Sequence, residues 1–127
     1  MREIKFRGFN TKNIQWLYGS HILNRGKHFV APDEFADGKT WEDYEVDPDT
    51  VGQFIGVYDK HGREIYDGDI LRYPLNNKTY QVVFKDGIYF GEGRHGWGVA
   101  AYFFPSCVIL DNIHDNPEMI EKGGNNE

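Results

Sequence analysis

The clearest pattern of apolar and polar positions lies between Val51 and Tyr73. Val51, Gln53, Ile55 and Val57 fall on one face at a period of two, and Gly52, Phe54, Gly56 and Tyr58 on the other, which predicts a strand. Asp59-Lys60-His61-Gly62 then supplies a turn, since Asp hydrogen-bonds its own backbone and Gly accepts a positive φ. Glu64-Ile65-Tyr66 is a short return. Asp67-Gly68-Asp69 makes a second corner, and Ile70 to Tyr73 opens another strand that Pro74 ends. Corners this close together curl a small sheet onto itself.

The same alternation opens the chain. Ile4, Phe6 and Gly8 face one way, and Glu3, Lys5 and Arg7 the other. Residues 9–13 turn the chain, and Ile14 to Leu23 returns it as a hairpin. Phe9-Asn10 through Gly19 to Leu23 echoes Tyr58-Asp59 through Gly68 to Leu71, as two uses of one hairpin-and-corner device. Further on, Thr79 to Phe84, Ile88 to Phe90, Val99 to Phe104 and Cys107 to Leu110 read as strands. An Asp86-Gly87 hairpin turn joins the first two, and Pro105 breaks the last pair. Asn116, Pro117 and Glu118 form a helix start, with Asn as N-cap and Pro at the first position. Gly123 stops that short helix before a tail expected to be disordered over 123–127.

Between Asn24 and Thr50 the periodicity fails. The only apolar cluster is His28 to Ala31, and eight acidic residues stand against three basic ones. The segment reads as a long loop with one helical turn at Asp33–Ala36, and Phe35, Trp41 and Tyr44 predict that part of it docks. Two arrangements are open. The acidic stretch Asp33 to Asp49 can cover its own basic hairpin (Arg2, Lys5, Arg7, Lys12), or it can cross to a second copy and dock Trp41 and Tyr44 there. The crossed form is preferred, because an arm of this length is hard to satisfy within so small a domain. The first strand has no proline on its backbone edge, so it is the edge expected to need covering.

Composition narrows the function classes. The chain has 127 residues, enough for one domain or one domain with a large insertion. Aromatics make up 16%, more than core filling needs, so some are expected on a partner-facing surface. A net charge of −6 disfavours non-specific nucleic-acid binding. Cys107, alone among apolar neighbours, reads as a buried structural thiol. No signal peptide or membrane span is visible, so a soluble cytosolic protein is expected.

The motifs with chemical potential fail on context. Asp59 lacks the acidic third and fifth positions of an EF-hand loop, where His61 and Arg63 stand. Gly91 to Gly96 spells G-x-G-x-x-G, but the chain continues as a strand and not as a phosphate-binding helix. Arg94, His95 and Trp97 on that tip make a candidate contact patch. The five histidines show no ligand spacing. No catalytic constellation, cofactor or metal site is expected.

Three stretches together resemble the YopX family of small phage and prophage proteins. They are Met1 to Arg7, Gln53 to Ile70 and Asn112 to Glu118. Gly8-Phe9-Asn10 departs from the family's usual Ala-Trp-Asp, and His61 from its usual Asn. The resemblance implies an SH3-like barrel in the C-terminal half, with an N-terminal β-rich part around it, and no catalytic residues. The expectation is therefore a mainly β protein. Residues 1–50 form a hairpin plus acidic insertion. Residues 51–122 form an SH3-like curled sheet, from about Gly52 to Leu110, with a helical turn. The expected role is a non-enzymatic phage or prophage accessory protein in the host cytosol. It would bind itself, as a homo-oligomer, or a phage or host protein. The rival class is a nucleic-acid binder using Lys78, Lys85 and Arg94 with Tyr89 or Trp97 as stacking platforms.

Overall fold

A computed structural model describes residues 3–94 and 98–120; the expected tail at 123–127 lies outside them. The chain is mainly β and divides into two compact units, residues 1–54 and 55–127. Among the described residues eleven strands lie in two antiparallel sheets.

The first unit holds β1 (Phe6–Asn10), β2 (Gln15–Asn24), β3 (Lys27–Ala31), β4 (Glu45–Val46) and the start of β5 (Gly52–Tyr58). They lie side by side in the order β4-β3-β2-β1-β5. The alternation read at the N-terminus becomes the β1–β2 register, with Phe6 opposite Gly19 and Asn10 opposite Gln15. The return strand begins at Gln15 and not at Ile14, which sits at the turn with φ +53°. The Asn13 N–H donates to Asn10 Oδ1 at 2.6 Å, which keeps the turn going one residue further. β1 is no edge. It pairs β2 on one side and β5 on the other, with Arg7 opposite Gly52, so the expectation of an exposed first strand is corrected.

The polar segment 24–50 is not the loop its composition predicts. His28 to Ala31 is the heart of β3, paired with Ser20 to Leu23. The Asp33–Ala36 helical turn does not form. Single 3-10 turns form later, at Trp41–Tyr44 and Pro48–Thr50. Long-range polar contacts placed these elements. The Asp47 N–H donates to Phe9 O, and the Phe9 N–H donates to Thr50 Oγ1, so the segment closes back along β1.

In the second unit β5 continues beside β6 (Glu64–Tyr66). A five-stranded sheet runs β10 (Gly98–Ala100), β9 (Ile88–Glu92), β8 (Lys78–Lys85), β7 (Asp69–Tyr73) and β11 (Val108–Asn112). Asp86 and Gly87 both have positive φ, +53° and +84°, as a two-residue hairpin with this right-handed twist demands. Ile55, Ile65, Leu71, Tyr80, Val82, Val99, Phe104 and Cys107 make the core. The expected strand Val99–Phe104 is cut short. Only Gly98–Ala100 pairs with β9, and Ala101–Ser106 turns as a 3-10 segment holding Pro105. Proline cannot donate to a ladder, and the turn lets Phe104 drop fully into the core. Residues 118–120 are helical, as the Asn-Pro-Glu start predicts. Both sheets are open, so no barrel closes by strand pairing.

The 59–63 turn is held by one carboxylate. Asp59 is 5% exposed. Its Oδ1 accepts the N–H groups of His61 and Arg63, each at 2.9 Å, and its Oδ2 accepts the Ile109 N–H at 3.0 Å. Arg63 Nε and a terminal nitrogen also reach Oδ2, at 3.1 and 2.9 Å. Arg63 then donates to Ile109 O, and the Lys60 N–H donates to Cys107 O. Burial pushes the Asp59 carboxyl up, but these donors outweigh it and hold it below its ordinary 3.8. Asp59→Asn places an amide where donors converge. It should lower unfolding free energy at neutral pH by about 2–4 kcal/mol, less than a fully buried pair loses because Arg63 keeps solvent access. A group with a depressed folded-state pKa stabilises above its unfolded value and ceases to do so as pH falls through the folded one. The gap between native and variant, read in urea melts, should therefore narrow below pH 3.8.

Candidate interaction surface

The candidate site residues fall into two groups. In the first unit Trp41 and Tyr44 come together. Trp41 stands edge-on to Phe29 and Phe35, with ring centroids 5.2 and 4.9 Å apart. Tyr44 is buried 4.5 Å from Phe35, and its hydroxyl accepts the Ala36 N–H. The four aromatics fasten the acidic segment to β3 of the same chain. That docking needs no neighbour.

The charged and polar contacts agree. Asn10, 1% exposed, shares its two amide donors among the carbonyls of Glu45 (2.7 Å), Asp43 (3.2 Å) and Glu42 (3.4 Å). Lys12 pairs with Asp43 and Glu42 at 3.4 and 3.7 Å. The Thr40 N–H and the Asn13 amide donate to Asp43, and with Lys12 beside it they lower its carboxyl to about 2. A polar cleft of about 470 Å³ lies here, between Asn10, Lys12, Lys27, Glu42 and Asp47. Its charges oppose and largely cancel one another.

In the second unit Arg94 is exposed just after β9, while His95 and Trp97 lie outside the described residues. The G-x-G-x-x-G spelling has a packing cause at its first position. Gly91 lies in β9, where a Cβ would stand 3.0 Å from Tyr80 Cβ and 3.5 Å from the Phe104 ring. Among the described residues no three His, Cys, Asp or Glu side chains gather as a metal site requires. Cys107 is 1% exposed, and burial pushes its thiol up to about 11.

The surface that sequence reasoning missed is on the Ala101–Ser106 turn. Burying Phe104 turns its two predecessors outward. Tyr102 is 85% exposed and Phe103 42%. Phe103 meets Tyr102 edge-on at 5.2 Å and Tyr73 at 5.9 Å, so the three rings form a ridge. The Cys107 N–H donates to Phe104 O and the Cys107 thiol to Phe103 O, which holds the turn from beneath. The available signal was Pro105 within Tyr-Phe-Phe-Pro. Read as a strand, that run would hide alternate rings. Read as a turn, it exposes two adjacent ones.

Two open antiparallel sheets with a buried Asp59 turn are those of a small, mainly β-sheet protein. A family model described as YopX protein matches residues 5–121, and the chain belongs to the YopX family. Among solved structures it is similar to protein EF1440 from Enterococcus faecalis, with TM-score 0.62 and 22% identity over 94% of this chain and 99% of that one. That likeness is one of fold. No curated protein matches the chain. Among the described residues no helix is long and apolar enough to cross a membrane.

Two outcomes follow from the site's geometry. Asn10→Ala strands backbone carbonyls and should lower stability by about 2 kcal/mol in urea melts, while Lys12→Gln leaves the midpoint nearly unmoved, since exposed ion pairs contribute little. Cys107 should resist a thiol-directed aromatic disulfide reagent in the native state and react at once in denaturant, which absorbance of the released thiolate reads directly.

Proposed function

We propose that this chain is a non-enzymatic phage or prophage accessory protein of the host cytoplasm, a binding module that associates with a second copy of itself through the Tyr73–Tyr102–Phe103 ridge. The single observation behind this reading is the 85% exposure of Tyr102 on a turn anchored by a fully buried Phe104. An aromatic ring left this far in solvent keeps apolar area that a partner surface can bury. Strand-edge pairing is the less favoured route. Asp59 and Arg63 occupy the outer backbone groups of β11 at Ile109, and Asn10 occupies Glu45 O on β4. Face packing is the other route, and aromatic rings suit it. The meander β7-β8-β9, the 3-10 turn and the return of β11 to β7 support an SH3-like reading of the second unit.

The nucleic-acid reading finds less support. Lys85 is held by Glu92 at 2.6 Å, and the chain carries a net −6, which opposes a phosphate-tracking path. Light scattering on the intact chain and on Tyr102→Ser/Phe103→Ser tests the proposal. The intact protein should exceed its monomer mass of 14.8 kDa, and the variant should return to it with an unchanged unfolding midpoint. A monomeric intact chain, or a variant that associates equally well, overturns it.

A further inference from the structure

The five histidines looked scattered in sequence, yet the β2–β3 register brings two of them together. His21 lies opposite Val30 and His28 opposite Leu23, so the two imidazoles are diagonal neighbours on one face. His21 Nε2 and His28 Nδ1 stand 2.8 Å apart. The rings are within 11° of parallel with centroids 5.0 Å apart. That separation is the nitrogen–nitrogen distance plus one ring radius at each end. The rings therefore meet edge to edge in nearly one plane, each nitrogen aimed straight at the other. A metal ion needs two lone pairs converging on a third point, and here they converge on each other. The space holds a proton and nothing larger.

We infer that His21 and His28 form a proton-operated latch on the β2–β3 ladder of the first unit, closed with no extra proton or one, and opened by the second. In the neutral pair one ring donates its N–H and the other accepts, which requires both rings in the same tautomer: both Nε2–H when His21 donates, both Nδ1–H when His28 does. The first added proton goes to an outward ring nitrogen, and the resulting imidazolium still donates to its neutral neighbour. The second makes both facing nitrogens N–H donors at 2.8 Å, two cations with no acceptor between them. The contact must then break.

Among the described residues no charged side chain shares the pair's face, and both rings are half-buried, so water offsets that charge only in part. On that face stand Phe6, whose ring is 5.4 Å from His21, with Gly8, Leu23, Val30 and Val46. Strand register puts Arg7 of β1, Tyr18 of β2, Lys27 of β3 and Glu45 of β4 on the opposite face. Gly52, Gln53 and Phe54 of β5 are uncharged. From the 3-10 turns, Glu42 and Asp43 are held by Lys12, and Asp47 accepts the Asp49 N–H. Burial first, and the charge of His28 second, lower the His21 pKa from 6.5. A base whose folded-state value is depressed leaves stability intact above its unfolded value and reduces it as pH falls below that value. The latch therefore weakens from about pH 6.5 downward, well before Asp59 titrates.

Nitrogen-15 NMR of the imidazoles in the intact chain, with thermal melts of the intact chain and of His28→Gln, tests the latch. At about pH 7.5 the spectrum should show both rings in the same tautomer, and acidification should charge the two rings in separate steps. The melting midpoint of the intact chain should fall between about pH 7.5 and about pH 5, and His28→Gln should lose less than half as much. Two rings that titrate independently at the ordinary value, or melts that fall in parallel, overturn the inference. Should His28→Gln fail to fold, the titration of the intact chain decides alone.

Discussion

The buried Asp59 carboxylate sets the geometry of the 59–63 turn and ties it to β11. Three backbone N–H groups and the Arg63 guanidinium converge on Asp59, and one of those amides belongs to Ile109, fifty residues away in sequence. A hydrophobic contact could bring β11 near the turn but could not fix its register, because apolar burial is non-directional. The carboxylate supplies direction. It also occupies the outer backbone of β11, where a free strand edge would invite another chain. Register, turn shape and edge protection thus share one group.

The first unit solves the same problem with an amide. Asn10 caps its own turn through Oδ1 and reaches Glu45, Asp43 and Glu42 through Nδ2. Asn10 ends β1, and Asp59 follows β5. The chemistry differs for a reason visible in the partners. Asp59 faces donors and needs lone pairs; Asn10 faces carbonyls and needs N–H groups. Neither side chain can take the other's place.

These polar anchors work because apolar packing removes water around them. Phe104 is fully buried beside Cys107, and the same turn presents Tyr102 and Phe103 to solvent. One local decision, a 3-10 turn in place of a strand, produces both the largest fully buried side chain and the most exposed aromatic among the described residues. In the first unit, two half-buried imidazoles facing each other nitrogen to nitrogen give the His21–His28 contact its sensitivity to protons.

The sequence alone determined everything that depends on near neighbours. Period-two alternation located most strands, Asp86-Gly87 named its hairpin turn, Asn116-Pro117-Glu118 started its helix, and the central Gln53–Ile70 segment pointed to the family. These signals lie within a few residues of what they specify. The tertiary structure decided whatever rests on distant partners. A polar run held two 3-10 turns and β4 because Asn10 could donate to Glu45 O and Phe9 to Thr50 Oγ1, partners 35 and 41 residues apart. The first strand lost its edge because β5 paired with it. Tyr102 and Phe103 turned outward because Phe104 found a core to fill, and two histidines seven residues apart met through strand register. Hydrogen bonds and burial of that kind are settled by three-dimensional proximity, which no local pattern encodes.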